Sequence, residues 1–324
     1  MALEISCAFA TSLDTPAQIE VAEQLGYHTA WCYDSPALYP DVWVTLALAA
    51  QRTDRIRLGP GVLVPSLRHV MTNAAAVATL EALAPGRIVV GVGAGATGRL
   101  AMGQRPLTWK DVTAYTGALR ALLRGEEVTW EGGVLRMVHP AGCAPPRPLR
   151  TPVVIAAQGP KGVEAARAVA DGIFTVGPAG GFGWVAELVL GTVLDDGEQP
   201  GSERVLAAAG PGAAVFYHLM YDGRGWGDVS VLPGGEEFRR RAEALPAARR
   251  HLDIHASHLV GLNPLDDGIV TGDAMAALGV VADAGAWRAR LSASEAVGVT
   301  EVVFQPAGPD IPRELEAFMA MASG

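Results

Sequence analysis

The sequence contains few cysteines and no dense run of positive charge. Its three cysteines, Cys7, Cys32 and Cys143, are odd in number and far apart, which excludes a disulfide framework and a cysteine metal site. Lys and Arg total 25 against 34 Asp and Glu, and the formal charge of -9 argues against a nucleic-acid surface. We therefore expect a small-molecule partner and no nucleic acid.

Long apolar runs are also missing. No uncharged stretch approaches membrane-spanning length, and Met1 leads directly into a strand-like segment without a basic leader. These absences predict a cytoplasmic protein that neither enters a membrane nor is exported.

What the sequence does contain is a regular alternation of short apolar runs and helical patterns. Hydrophobic residues make up 50% of the chain, enough for one large core. Strands are predicted at residues 3–9, 28–34, 56–64 and 87–93, at both ends of 151–177, and at 213–222 and 301–305. Helices are predicted from Thr15, at 41–53, 70–83, 286–297 and 312–321, and across 236–263 with a break near Pro246.

Eight strands with intervening helices predict an α/β fold of the (β/α)8 TIM-barrel type. Short apolar runs between helices are typical of parallel strands that are covered on both faces. We expect residues 1–324 to form a single domain, with a hairpin insert at about 126–151 that turns at Gly132-Gly133 and a variable region at about 195–250. The Gly-rich stretch 223–235 is predicted to be a loop.

A turn at Gln158-Gly159-Pro160 separates an apolar strand from an amphipathic helix. The first amides of a helix have no partner within it and carry partial positive charge, so this turn suits a phosphate. Gly159 and Pro160 equally suit an ordinary helix start that binds nothing, since Pro is favoured at the first helical position.

Glycines interrupt two of the predicted strands. Gly59 and Gly61 lie in an otherwise β-branched run, where glycine marks a bulge or the close approach of a ligand. Gly93 to Gly98 fits the G-x-G-x-x-G pattern of dinucleotide-binding folds. That pattern follows the fourth strand rather than the first, no acidic residue ends a strand about twenty residues later, and the next convincing helix begins only near Thr108. The barrel is therefore favoured over a Rossmann fold.

Taken together, several segments resemble the luciferase-like monooxygenase superfamily, and most closely its deazaflavin F420-dependent members of the methylenetetrahydromethanopterin reductase-like kind. The matching segments are residues 28–34, 41–69, 86–95, 153–160, 175–177 and 300–318. The resemblance implies a TIM-barrel oxidoreductase that uses F420, with FMN as the alternative cofactor. Relatives are mostly dimers, so we expect a homodimer; the apolar helices at 41–53 and 70–83 offer an interface, or pack only on their own barrel.

The resemblance also implies which residues bind the cofactor. A non-prolyl cis peptide between Gly61 and Val62 would support one face of the deazaflavin ring; the alternative is an ordinary glycine kink. The phosphate would rest near Gln158 and Lys161, and the cofactor's acidic tail near Arg99, Arg105 or Lys110. The complete expected set is Phe9, Asp34, Gly61, Val62, Gly93, Gly95, Ala157, Gln158, Gly159, Pro160, Lys161, Thr175, Val176 and Gly177.

Three residues are candidates for proton transfer during catalysis: Asp34, His69 and His218. Asp34 ends the second strand, where a carboxylate can accept a hydrogen bond from a ring edge or shuttle a proton. Relatives often place His directly after this acid, but here that position is Ser35, which puts a His-dependent relay in doubt. Asp34 equally suits a capping role for the following loop.

We expect no metal site. His255 and His258 are three residues apart on the predicted helix that also carries His251, a spacing that makes them neighbours. Two imidazoles at this spacing can bind a metal, but no Asp, Glu or Cys follows at the spacing of a third ligand.

The leading hypothesis is hydride transfer between F420 and an organic substrate, by reduction of C=C, C=N or C=O or the reverse reaction. An FMN-dependent monooxygenase is the alternative among enzymes. A barrel that binds a flavin-like ligand without catalysis is the alternative of another class.

Overall fold

The computed structural model describes residues 3–177, 179–222 and 227–324. The strands are β1 (Glu4–Phe9), β2 (Thr29–Cys32), β3 (Arg57–Pro60), β4 (Val90–Gly93), β5 (Val128–Trp130), β6 (Gly133–Leu135), β7 (Val153–Ala156), β8 (Gly172–Thr175), β9 (Val185–Leu190), β10 (Thr192–Val193), β11 (Val281–Ala282) and β12 (Glu301–Gln305). The helices are α1 (Thr15–Leu25), α2 (Val42–Ala50), α3 (Val70–Leu83), α4 (Ala96–Leu100), α5 (Trp109–Arg124), α6 (Gly159–Val169), α7 (Glu203–Tyr221), α8 (Gly235–Ala244), α9 (Arg250–Ile254), α10 (Gly272–Ala277), α11 (Ala284–Ala296) and α12 (Ile311–Ser323), and a 3-10 turn spans Val229–Val231.

Eight parallel strands form a nearly closed barrel with helices between them. Their order is β3-β2-β1-β12-β9-β8-β7-β4. The two end strands are joined by isolated bridges that pair Leu58 with Ile88 and Leu63 with Val92. The predicted TIM barrel is confirmed, and the antiparallel pair β5–β6 forms the predicted hairpin.

The barrel interior and the layer between strands and helices have separate apolar clusters. The interior cluster is made of residues on or beside the strands: Ala8, Trp31, Val89, Val154, Phe174, Ala186 and Val303. Phe9 follows Ala8, so its side chain points to the opposite face and packs in the outer cluster with Ile19 and Phe304. This placement corrects the expectation that Phe9 binds the cofactor, because its side chain faces the helices.

Glu301 is a buried carboxylate at the amino end of β12. Its two oxygens accept hydrogen bonds from the indole nitrogens of Trp31, at 3.1 Å, and Trp184, at 2.6 Å. The guanidinium of Arg57 lies 4.8 Å from the Trp184 ring centre. A buried charge is thus satisfied at the end of the barrel away from the strands' carboxyl ends.

The seventh barrel strand is not where the sequence pattern indicates. Residues 213–222 lie in and directly after helix α7, whereas the strand is β9, Val185–Leu190. An apolar run suits both a buried strand and a buried helix, and the length of the pattern decides between them. Here the buried pattern extends back to Val205, and the hydroxyl of Ser202 caps the helix by accepting from the Val205 amide.

The helices predicted across 236–263 are confirmed up to Ile254, with the break near Pro246: α8 ends at Ala244 and α9 begins at Arg250. Beyond Ile254 the prediction is wrong, because those residues form successive turns. The predicted loop at 223–235 lies partly outside the described residues, since residues 223–226 are not described, and residues 229–231 form the 3-10 turn.

Several helix ends follow their local sequence signals. Helix α1 has Pro16 in its first turn and ends at Gly26, which adopts φ 92°. Helix α3 covers the predicted residues 70–83. The short helix α4, in the glycine-rich loop after β4, was not predicted.

A second apolar core lies in residues 203–277, which we call the cap. It includes Val205 and Tyr217 of α7, Phe238 of α8 and Met275 of α10. A smaller cluster joins Val215, Leu219 and Leu259 of the cap to Leu100 of α4, with Tyr33 and Leu190 at strand ends packed against it. The cap therefore covers the carboxyl end of the barrel. Across the described ranges, no helix combines the length and apolarity needed to cross a membrane.

Candidate active site

The carboxyl ends of the strands surround a cavity of about 1010 Å³. Asp34, Gly61, Gly93, Ala157 and Thr175 contribute to its lining from the ends of β2, β3, β4, β7 and β8. TIM-barrel enzymes build their active sites at this end of the barrel. The volume is at the upper end of that of small-molecule and cofactor sites.

Gly61, Gly91 and Gly93 form one part of the barrel wall, which we call the glycine wall. The peptide bond between Gly61 and Val62 is cis, as the resemblance implied. The Val62 side chain lies against the other two glycines: an added Cβ would be 2.7 Å from Val62 Cγ1 at position 91 and 2.6 Å from Cγ2 at position 93. These glycines therefore make room for Val62, a packing reason that the sequence pattern did not reveal.

Gly95, also expected at the cofactor, lines the cavity with φ 79°. An added Cβ there would lie 2.5 Å from Val64 Cγ1. Both the backbone conformation and the lack of space favour glycine at this position.

Asp34 lies in the cavity wall and is paired with a residue that sequence reasoning did not single out. Arg68 Nη1 donates to both Asp34 carboxylate oxygens at 2.7 Å, and Nη2 donates to Asp41 Oδ2 at 2.6 Å. Asp41 is also the N-cap of α2. Burial raises the pKa of the Asp34 carboxyl, and the Arg68 guanidinium opposes that rise. Arg68 lies in the matched segment 41–69, but no sequence spacing indicates its partner.

The amino end of helix α6 lies at the cavity rim. Ala157, Gln158 and Gly159 line the cavity, and no side chain caps the helix at Gln158. The first-turn amides thus offer donors and partial positive charge at the rim. Pro160 and Lys161 are exposed in the first turn and are not part of the lining.

The expected site at the end of β8 is only partly at the cavity. Thr175 and Val176 line it, but Gly177 does not. The Thr175 hydroxyl donates to the Gly177 carbonyl at 2.8 Å, and the hydroxyl oxygen accepts from the Gly177 amide at 3.3 Å. The Gly177 amide is therefore engaged locally rather than directed at a phosphate.

His69 is placed outside the cavity lining. It is the N-cap of α3, where its Nδ1 accepts from the Met71 amide at 3.1 Å. Its Nε2 lies 3.9 Å from Glu131 Oε2 on the hairpin. This capping position does not support the expected catalytic role, because His69 is not among the residues that line the cavity with Asp34.

His218, the third catalytic candidate, lies in the cap with His255 and His258. All three are about 1% exposed, and we call them the histidine cluster. His258 lines the cavity and His218 lies behind it. Burial and the two neighbouring imidazoles lower the pKa of His258 well below its ordinary value. Sequence reasoning missed this cluster because His218 and His258 are 40 positions apart.

Known proteins resemble this chain in sequence. Residues 12–210 match the family described as luciferase-like monooxygenase. A 5,10-methylenetetrahydromethanopterin reductase from Methanolobus tindarius is 32% identical over 164 residues, which are 48% of this chain and 47% of the relative. This chain thus matches about half the length of that reductase. An F420-dependent glucose-6-phosphate dehydrogenase from Beutenbergia cavernae is 29% identical over 273 residues, 73% of this chain and 77% of the relative.

Solved structures share the fold at low identity. The coenzyme F420-dependent tetrahydromethanopterin reductase from Methanopyrus kandleri matches with a TM-score of 0.67 and 19% identity, over 100% of this chain and 99% of that chain. The oxygenating component of 3,6-diketocamphane monooxygenase from Pseudomonas putida, in complex with FMN, matches with a TM-score of 0.60 and 14% identity, over 99% and 98%. Because the family match covers more than half of the sequence, the chain belongs to the luciferase-like monooxygenase family. It is an enzyme, which sets aside the alternative of a non-catalytic ligand-binding barrel.

Proposed function

We propose that this enzyme is an F420-dependent oxidoreductase that transfers a hydride between F420 and an organic substrate. A curated relative that is F420-dependent by name, matched over 73% of this chain, supports the cofactor assignment. The observation that carries the proposal is the cavity at the carboxyl ends of the strands, with backbone and glycine on one part of its wall.

The cavity residues fit a tricyclic cofactor with an anionic side chain. The strand ends at Gly61 and Gly93 present little side-chain bulk to the cavity beyond Val62, which leaves a surface on which a planar ring can lie. The uncapped first turn of α6, at Gln158 and Gly159, suits the phosphate. When bound, F420 supplies the hydride chemistry, and the protein supplies orientation, exclusion of water and a proton.

Asp34 is the residue we assign to hold or move that proton. It is 3% exposed, lines the cavity, and is fixed in position by Arg68. Burial raises its carboxyl pKa above the ordinary value, which is the direction that favours a carboxyl as a proton donor. Arg68 sets the orientation of the carboxyl because it contacts both oxygens.

Titration of F420 fluorescence with the purified full chain tests the proposal. We expect saturable binding with micromolar or tighter affinity, and an unchanged fluorescence signal would contradict it. His69→Gln is a matched control, because His69 is a half-exposed cap outside the cavity lining and its loss should leave F420 affinity within about twofold.

A second candidate function is an FMN-dependent monooxygenase. The FMN-bound structural neighbour and the description of the matched family favour it. Parallel titrations with FMN and F420, followed by oxygen consumption in the presence of reduced FMN, separate the two. Tighter binding of FMN together with oxygen uptake that depends on an organic substrate would replace the first proposal with the second.

A further inference from the structure

The histidine cluster has a geometry that neither the fold nor the proposed redox function requires. His258 Nδ1 lies 3.4 Å from His218 Nδ1 and 3.4 Å from His255 Nδ1. Ligand-capable atoms of the three side chains all lie within 4.8 Å of one another. Buried rings from two segments of the cap, α7 and the residues that follow Ile254, thus bring three ring nitrogens close together.

Hydrogen bonds alone do not account for this convergence. A ring nitrogen carries either one N–H or one in-plane lone pair, so His258 Nδ1 can form a hydrogen bond with one of its two neighbours but not with both. A separation of 3.4 Å is also long for such a bond. One of the two contacts therefore has no hydrogen-bonding explanation.

A metal ion accounts for both contacts at once. Metal–nitrogen bonds of about 2.0–2.1 Å at tetrahedral angles separate two ligand nitrogens by about 3.3–3.4 Å, which matches the observed spacing. We propose that His218, His255 and His258 form a binding site for a divalent transition-metal ion of the Zn²⁺ class, with the Nδ1 atoms as ligands. Imidazole nitrogens suit this class of ion.

The atoms around the rings have the arrangement that orients metal-binding histidines. An oxygen lies near the Nε2 of each ring: Asp266 Oδ1 at 3.0 Å from His218, Asp222 Oδ2 at 3.6 Å from His255, and Thr97 Oγ1 at 3.4 Å from His258. Asp266 is at hydrogen-bond distance, so it holds the proton on His218 Nε2 and leaves the Nδ1 lone pair for the metal. The two carboxylates also supply negative charge that a divalent cation balances.

The backbone on both sides of His258 adopts an uncommon conformation. Ser257 and Leu259 adopt φ values of 58° and 60°, which non-glycine residues rarely adopt. Tyr39 donates its hydroxyl to the His258 carbonyl, and Gln305 Nε2 donates to the Leu259 carbonyl at 3.2 Å. Uncommon conformations held by surrounding contacts are concentrated at functional sites.

The cavity gives an ion access to the site. Asp222 and His258 line it, although the three rings are almost fully buried. Three protein ligands leave a fourth position for water or an oxygen of a bound molecule, as in catalytic zinc sites. The inference does not depend on which redox cofactor the enzyme uses.

Isothermal titration of chelator-treated full-length protein with ZnCl₂ tests the site. We expect one ion per chain with micromolar or tighter affinity, and visible d–d absorption of four-coordinate geometry when CoCl₂ replaces zinc. His255→Gln and His258→Gln should each weaken zinc binding at least 100-fold. His139→Gln is the matched control, because His139 is exposed and distant in sequence from the cluster, and its zinc affinity should equal that of the unaltered protein.

Circular dichroism establishes whether each variant folds. If both cluster variants fail to fold, Asp266→Asn provides a milder test, with an expected loss of zinc affinity of 10- to 100-fold. The absence of saturable zinc and cobalt binding in the unaltered protein would overturn the proposal and leave a hydrogen-bonded histidine triad. Equal zinc affinity of folded His258→Gln and His139→Gln would overturn it as well.

Discussion

The glycine wall and the histidine cluster both adjoin the same cavity but are built from different parts of the chain. The glycine wall comes from β4 and the residue after β3, two strands that are connected through α3 and paired by isolated bridges. The histidine cluster comes from α7 and from turns 40 positions later. The glycine wall leaves space in the cavity because it has few side chains, whereas the histidine cluster places buried imidazoles beside the cavity. Changes on the two sides should therefore have effects of different kinds.

The largest effect is expected from removing the cation that pairs with Asp34 on the barrel side of the cavity. Arg68→Met would leave Asp34 buried without its partner, which should lower the free energy of unfolding by about 3 kcal/mol. Chemical denaturation of the variant measures this loss. The double variant Asp34→Asn with Arg68→Met should recover most of it, because no buried charge then remains; failure to recover would show that Arg68 acts through another contact.

The glycine wall itself should be intolerant of a single methyl group. Gly93→Ala would place a Cβ 2.6 Å from Val62 Cγ2, and we expect a loss of about 1–3 kcal/mol in stability and a reduced F420 affinity. Denaturation and the fluorescence titration measure these effects. Gly117→Ala in α5 is the control: nothing lies within 4 Å of its added Cβ, so stability should rise by about 0.5–1 kcal/mol. A neutral Gly93→Ala would show that Val62 moves freely.

Ion pairs at the start of α7, the helix that carries His218, connect this helix to the barrel side. Arg204 Nε donates to Glu198 Oε1 at 2.8 Å, and its Nη1 donates to Glu314 Oε1 at 2.9 Å. Hydrogen bonding from Arg204 lowers the pKa of Glu198 to about 2. Glu198→Gln should cost about 1–2 kcal/mol at neutral pH.

The stability loss of Glu198→Gln should depend on pH in a way that identifies the ion pair. Because the folded pKa of Glu198 is depressed, its stabilising contribution is complete above the ordinary carboxyl pKa of 4.5 and is lost as pH falls toward about 2. Denaturation curves of both proteins across this range should converge at the acid end. A difference that stays constant with pH would contradict the assigned ion pair.

The smallest effect concerns the charge of Asp34. Its pKa is raised by burial, so the folded protein binds this proton more tightly than the unfolded chain does. The associated stability is present below the ordinary carboxyl pKa and is lost as pH rises through the folded value. The stability of the unaltered protein relative to Asp34→Asn should therefore fall as pH rises from about 4 through the folded pKa. A relative stability that rises over this range would mean that Arg68 outweighs burial.

Much of the barrel side could be predicted from the sequence, because its features are local. Strands such as β12, helices such as α3 and the hairpin β5–β6 follow from periodicity and turn residues. The cis bond at Gly61–Val62 followed from a resemblance in a short segment. The reason for Gly91 and Gly93 did not follow, since it depends on where the Val62 side chain lies on the neighbouring strand.

The cap side was predicted poorly because its signals are ambiguous or distant. The apolar run at 213–222 suits strand and helix alike, and it became part of α7. On the barrel side too, distant contacts were missed. The resemblance of the segment around His69 to a pocket segment of relatives indicated a pocket residue, whereas His69 caps helix α3. The pair of Asp34 with Arg68 joins residues 34 positions apart, and no spacing rule connects them.

The sequence by itself determined the alternation of strands and helices, the carboxyl-end location of the cavity and its glycine-lined wall, because hydrophobic period and backbone freedom act over a few residues. Tertiary structure alone decided which charged and titratable groups face one another. Asp34 meets Arg68 because the segments after β2 and β3 pack together, and His218 meets His255 and His258 because α7 packs on the residues after α9; both contacts join segments that are distant in sequence.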